Sequence, residues 1–208
     1  YKTPPYCAVK VPVFSFEKLT DANSYLSPEM KSTGEVLGIG KDMAEALFKG
    51  LVSSGIRLPH PGEETGVLLS VDEYDYFEVL ALARKFSDLG CRLYATSGTA
   101  AAISTLGIPV QMVEDIHEMS ATAALLESGA IHYIVYTGAL LDSTLDDYIA
   151  LHRKALLLNI ACLTSLDTAN ALADIIASRY NQMNTELVDI NHMRRERGRL
   201  RFAKMQST

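Results

Sequence analysis

Tryptophan is absent from the sequence, cysteine occurs only three times, and no apolar run approaches the roughly eighteen residues that a membrane span requires. Cys7, Cys91 and Cys162 lie far apart and are odd in number, which excludes a disulfide framework and any C-x-x-C metal or redox pair and fits a reducing compartment. The first residues, Tyr1-Lys2-Thr3-Pro4-Pro5, have neither the charged-then-apolar pattern of a secretion signal nor that of a transit segment, so a cytoplasmic protein without membrane contact is expected. An excess of basic charge is also missing. The net charge is -6, and Met193 to Lys204 alone hold six Lys or Arg against Glu196, a local +5 that leaves -11 on the rest. An acidic body argues against nucleic-acid binding, because phosphate neutralisation supplies most of that affinity. The basic stretch, residues 192–208, is read as a solvated C-terminal tail.

What is present is apolar material in two different rhythms. With 48% hydrophobic residues in 208, the chain can bury one substantial core. Cys7 to Val13 alternates apolar and polar residues as a half-buried strand does, with Pro12 marking an edge. Ser32 to Gly40 reads as a second extended segment, and Asp42 to Val52 as a helix with Met43, Ala44, Leu47, Phe48 and Leu51 on its inner face. Gly55, Pro59, Pro61 and Gly62 then mark a linker. From Val67 onward, five apolar strand candidates (67–71, 92–95, 110–113, 133–136 and 160–163) alternate with helical patterns. This is the signature of a three-layer α/β domain around a five-stranded parallel, Rossmann-like sheet buried on both faces. A last short strand is expected at Leu187 to Ile190, on an edge.

In such sheets ligands sit where the strand order reverses, at the carboxyl ends of the strands. Some apparent motifs fail there or elsewhere. Gly38-Ile39-Gly40-Lys41 lacks the leading glycine and the Ser or Thr of a phosphate-binding loop, since Glu35 and Asp42 occupy those places. His117-Glu118 lacks the second histidine of a zinc-protease helix, so no metal site is expected. Ala95-Thr96-Ser97-Gly98-Thr99-Ala100 follows a strand and opens a helix, which serves either a helix cap or an anion cradle of hydroxyls and free N–H groups. Thr164-Ser165-Leu166-Asp167-Thr168 opens the last helix in the same way.

Thr3-Pro4-Pro5-Tyr6 with Ala8-Val9-Lys10, then Ser27-Pro28-Glu29-Met30-Lys31-Ser32-Thr33-Gly34-Glu35-Val36-Leu37-Gly38, resembles the end of the second ATP-grasp half of the carbamoyl-phosphate synthetase large subunit. Leu68-Leu69-Ser70-Val71, the 95–100 motif and the 164–169 stretch resemble that subunit's C-terminal, methylglyoxal-synthase-like regulatory domain. The resemblance implies residues 1–63 as an ATP-grasp remnant of α+β type plus linker, 64–191 as the allosteric domain, and the whole as an excised C-terminal piece of a longer protein. The parent would make carbamoyl phosphate for arginine and pyrimidine biosynthesis from bicarbonate, ATP and glutamine-derived ammonia, using magnesium or manganese. Those binding residues would lie upstream of Tyr1, so this piece is expected to have no catalytic residue and no cofactor. Its implied partners are the rest of the large subunit, the small glutaminase subunit through the parent chain, other copies in an oligomer, and the effectors UMP, IMP or ornithine.

Carried over by position, Ser70, Thr96, Ser97, Gly98, Thr99 and Thr137 form the implied effector or phosphate site, and Thr164 the ornithine candidate. The family's phosphate-binding lysines appear here as Tyr76 and Asp115, its strand-end asparagine as Tyr136, and the tyrosine of the ornithine site as Cys162. Asp72, Glu73, Asp75, Glu114, Asp115 and Glu118 surround the same region. A carboxylate about 6 Å from a phosphate charge repels it by about 3 kcal/mol at an effective dielectric near 20. A form with weak or no response to UMP and IMP, serving the arginine pathway, is therefore expected. The alternatives from other classes are a free-standing methylglyoxal-synthase-type phosphate lyase and a pure docking module with no ligand. The lyase would need a Gly-Asp pair where Met119-Ser120-Ala121 stands.

Overall fold

The computed structural model describes residues 6–13, 34–60, 62–113, 119–138 and 145–191. The Ser27–Thr33 part of the ATP-grasp-like motif, the carboxylates Glu114, Asp115 and Glu118, and the basic tail lie outside the described residues. Strands β1 (Cys7–Val13) and β2 (Gly34–Gly40) pair antiparallel in a two-stranded sheet, and helix α1 (Met43–Ser53) lies across it. The glycines of the failed phosphate-loop motif have a packing role here. A side chain on Gly38 would meet the Ala46 carbonyl oxygen at 2.0 Å, and one on Gly40 the Ala46 nitrogen at 2.5 Å, so only glycine lets the helix approach β2 this closely.

Five parallel strands follow in the spatial order β5-β4-β3-β6-β7: β3 (Gly66–Ser70), β4 (Arg92–Thr96), β5 (Val110–Val113), β6 (Tyr133–Tyr136) and β7 (Ala161–Leu163). Helices α2 (Tyr76–Asp88), α3 (Ser97–Ser104) and α6 (Leu166–Ser178) cover one face, and α4 (Met119–Glu127) and α5 (Leu145–Leu157) the other. Alternate strand residues feed the two layers. Val67 and Leu69 point into the core with Val79, Leu82 and Phe86, while Leu68 points into the second with Leu126, Tyr148 and Leu151. That explains the near-continuous apolar strands, since a sheet covered on both sides has no polar face. No helix among the described residues is long and apolar enough to cross a membrane.

Two expectations are corrected. Leu187 to Ile190 forms no strand, and Leu187 and Ile190 stand exposed. The chain before them is held by side chains instead of a ladder: Lys49 Nζ donates to the Glu186 carbonyl, and the Glu186 N–H donates to the Glu45 carboxylate. The inner face of α1 has Phe48 and Leu51 in the core and Ala44 and Leu47 packed against it, as expected, but departs from expectation at two positions. Met43 is exposed, whereas Glu45 is wholly buried beside Ala46, Phe48 and Leu51. Apolar spacing cannot reveal a buried carboxylate whose partners lie far away in sequence.

Burial alone pushes the Glu45 carboxyl up, but the N–H groups of Lys41 and Glu186 and the Lys49 ammonium outweigh it and hold the group below the usual glutamate range. Lys49 reaches the Ile39 carbonyl as well, at 2.8 Å, so one side chain joins α1, β2 and the segment after α6. Phe48 and Leu51 share the core of α2 and α6, and Tyr180 Oη donates to Asp42 Oδ2 at 2.8 Å. Glu45→Ala leaves two N–H groups and an ammonium without their acceptor and is expected to cost about 2–3 kcal/mol in urea unfolding. Because a depressed carboxyl pKa stabilises the fold above the unfolded value, the wild type loses this contribution as pH falls through the folded pKa, and the variant has none to lose.

Candidate functional site

Strand order reverses between β3 and β6, and the crevice outside their carboxyl ends gathers four of the residues singled out in the sequence. Thr99 Oγ1 accepts the Val71 N–H at 3.1 Å and lies 3.4 Å from Thr96 Oγ1, which in turn lies 3.2 Å from Ser70 Oγ. On the other side the Asp72 N–H donates to Thr137 Oγ1 at 3.0 Å, and the Thr137 N–H donates to the Ser70 carbonyl at 3.2 Å. Ser70, Thr96, Thr99 and Thr137 thus form one linked set across β4, β3 and β6. Thr96 and Thr99 are buried, and Ser70 and Thr137 are half-buried.

Ser97 and Gly98 stand exposed in the first turn of α3. Thr96 occupies the N-cap position without a side-chain cap bond, because its hydroxyl turns to the strand side. The cap reading of the motif therefore fails for Thr96. Ser165 also makes no side-chain cap bond to α6. Thr164 lies at the carboxyl end of β7, two strands from β3, or about 10 Å by strand spacing. It is not joined to the hydroxyl set by any hydrogen bond. Its neighbour Cys162 is enclosed, and burial pushes the thiol up to about 12, so it is not a reactive group at neutral pH.

The sequence reading names Tyr76 and Tyr136 at this site, but two of their contacts escape it. Tyr76, half-buried at the start of α2, rests its hydroxyl against Gly98, where a side chain's first carbon would come within 2.1 Å of Oη. Beneath the crevice, Tyr136 stacks on Tyr148 (5.6 Å between centroids) and Tyr148 on His152 (5.3 Å). The i, i+4 spacing of Tyr148 and His152 in a helix was the available signal.

Charge along the sequence is sorted by strand end. The five stretches running from a strand's last residue through the first turn of the next helix contain, by sequence, eleven carboxylates and no Lys or Arg. The cations of the parallel-sheet region gather at the other end. Arg84 and Lys85 sit near the end of α2, Arg153 and Lys154 near the end of α5, and Arg92 starts β4. Lys85 pairs with Asp174 at 2.8 Å and lies about 14 Å along the helix from Tyr76, so it does not serve the crevice. Asp72 is occupied by accepting the Tyr74 N–H at 3.0 Å.

A groove of about 1170 Å³ opens at the strands' amino ends, lined by Phe48, Ile56, Leu58, Leu89, Ile175 and the Arg57–Glu63 pair among others. It contains none of the hydroxyl set and marks the seam between α1 and the parallel-sheet layer. Among the described residues no group of three or more His, Cys, Asp or Glu is placed to hold a metal.

Residues 78–164, about two fifths of the chain, match the MGS-like domain family. The match runs from α2 through the end of β7, so the chain carries a methylglyoxal-synthase-like domain. Among solved structures, methylglyoxal synthase from Elizabethkingia anophelis NUHP1 is similar at 17% identity over 62% of this chain and 89% of that one, with a TM-score of 0.43. ForH is similar at 15% identity over 56% and 81%, with a TM-score of 0.40.

Two outcomes are expected at this site. Thr99→Val leaves the buried Val71 N–H without its acceptor, a loss of about 1–3 kcal/mol readable in the denaturant midpoint. Burial holds His152 below the ordinary histidine pKa of 6.5. Above that value both folded and unfolded chains are neutral at this group. As pH drops below it the unfolded chain takes the proton first, so stability falls toward the folded pKa. His152→Phe, which keeps a ring on Tyr148, should flatten this part of the urea-midpoint profile between pH 7 and 5.5.

Proposed function

We propose that residues 64–191 act as a regulatory, non-catalytic domain of the carbamoyl-phosphate synthetase type, with a crevice that responds weakly or not at all to UMP and IMP. On this reading residues 1–63 are the end of an ATP-grasp half, the parent enzyme supplies ATP and metal chemistry elsewhere, and the domain's partners are the rest of that subunit and other copies. The observation that carries the reading is the linked hydroxyl set at the switch point, beside stretches whose sequence holds carboxylates and no Lys or Arg. Hydroxyls and N–H groups suit an oxygen-bearing ligand, while each unit of phosphate charge meets repulsion of about 3 kcal/mol from a carboxylate near 6 Å before salt screening.

The second reading, a methylglyoxal-synthase-type phosphate lyase, fits the family match equally. It requires a firm grip on a phosphate and a carboxylate beside it to abstract a proton. The same charge distribution speaks against the grip. An ornithine response through Thr164 belongs to the first reading, and Cys162 in place of a tyrosine weakens it.

Isothermal titration at low salt with UMP, IMP and ornithine, together with an assay for methylglyoxal release from triose phosphates, separates these readings. The expected result is no nucleotide binding tighter than about 0.1 mM and no methylglyoxal. Micromolar UMP or IMP affinity would return the domain to nucleotide-phosphate control, and turnover would establish the lyase.

A further inference from the structure

We propose that the outer edge of β5 is the contact through which two copies of this chain pair, strand to antiparallel strand, about a twofold axis. The proposal gives a surface to the copy-to-copy contact named above and stands whether or not the crevice binds a ligand. In the order β5-β4-β3-β6-β7, β5 and β7 end the sheet, and their edges differ. In β7 none of Ala161, Cys162 and Leu163 is exposed. In β5 both Gln111 and Met112 are exposed, Met112 by 68%. An open edge presents N–H and C=O groups that template another strand, and proteins block such edges with charge or proline. The two-stranded sheet is protected in this way: Lys10 and Pro12 stand exposed on β1, and Lys10 pairs with Glu35 of β2 at 3.0 Å. β5 has neither device. Leu93 to Val113 is the longest stretch of the sequence without Asp, Glu, Lys, Arg or His, in a chain of which 21% is charged, so composition does not account for the gap. Where α3 packs on β5, the exposed residues Thr105, Leu106 and Pro109 are uncharged as well.

A second copy fits this edge for two reasons. The chain carries a net charge of -6, so copies repel one another and approach at least cost where neither presents a charge. A strand edge is also its own complement about a twofold axis normal to the sheet. Val110 packs against the core of α2, α3 and α6, and Val113 against the core on the other face, so by alternation Met112 lies on the α3 side and Gln111 on the opposite side. With Gln111 on the axis, opposite its own copy, Val110 of each chain faces Met112 of the other. This gives two apolar cross-strand pairs on the α3 side and an amide pair on the other, and no charge loses its water. Four residues at about 3.3 Å each make a short edge, so a dissociating dimer is expected, half-formed at about 10–100 μM.

The test is sedimentation velocity of the full chain over about 1–500 μM, at low and at moderate salt, with wild type, Met112→Lys and Gln111→Cys. The wild type is expected to pass from monomer to dimer, and more readily with added salt, because screening relieves the repulsion between copies while the contact itself holds no charge. Met112→Lys changes a side chain that is exposed in the monomer, so it should keep the urea midpoint of the dilute protein and weaken dimerisation about tenfold or more. Gln111→Cys under mild oxidation should give a disulfide-linked dimer, which the wild type with Cys7, Cys91 and Cys162 should not. A wild type that stays monomeric at every concentration overturns the proposal, and so does a dimer that a folded Met112→Lys leaves unchanged. If Met112→Lys lowers the urea midpoint, the disulfide decides alone: its absence from oxidised Gln111→Cys overturns the strand pairing, and its presence supports it. Nucleotide titration reads none of these outcomes, so the crevice is judged separately.

Discussion

A parallel sheet covered on both faces can carry polar chemistry only at the ends of its strands, and most of this molecule follows from that constraint. Leu68 and Leu69 face opposite layers and are both fully buried, so no residue inside β3 can meet a solute. Each helix begins at the carboxyl rim and ends at the amino rim, which sorts side chains by their position in the repeating unit. By sequence, eleven carboxylates fall after strands and in first helical turns, where acidic residues complement the helix dipole, while Lys85 and Lys154 fall in last turns, the same end of the units that also holds Asp88 and Glu127. The sorting that stabilises helices therefore leaves the ligand end negative. An anion site at that end needs cations placed against this tendency, and none is present in these stretches.

The second organising contact joins regions of different architecture. Glu45 and Lys49 sit one turn apart on α1, and between them they bind the start of the helix, the end of β2 and the backbone of Glu186. A two-stranded sheet with one helix cannot close a core by itself. Here Phe48 and Leu51 borrow the core of α2 and α6, and the buried ion pair satisfies the polar groups that this seam would otherwise strand. The same clamp explains why Leu187 to Ile190 adds no strand. Both polar backbone groups of Glu186 are already engaged by side chains of α1, which holds the chain out of ladder register with β2.

The repeating βα units were readable because two-sided burial and helical periodicity leave strong, local marks. Val79, Leu82, Ala83 and Phe86 have the spacing of one helix face and are fully buried. Thr96 and Thr99 were legible in the strand-to-helix motif 95–100, whereas Ser70 and Thr137 entered through the family resemblance. Contacts between distant residues were not legible. The carboxylate of Glu45 sits where its spacing suggests a surface position, and its burial depends on Glu186, 141 residues away in sequence. Met43 looked like core and is exposed, because the glycines at 38 and 40 set the helix's rotation against β2 through backbone contact.

The contact between Tyr76 and Gly98 shows why chemistry at this rim is harder to read than fold. By resemblance, Tyr76 stands where the family has a phosphate-binding lysine and Gly98 belongs to the implied effector site, but nothing in the sequence joins the two. Together they place an uncharged phenol against the exposed first turn of α3. An ammonium in the same place would add several kcal/mol of attraction for a dianion at short range, but it would be drawn equally to the neighbouring carboxylates. A phenol feels neither pull strongly. Beside the carboxylates of this stretch, a neutral hydroxyl can therefore keep its place against Gly98 where a cation would be drawn aside.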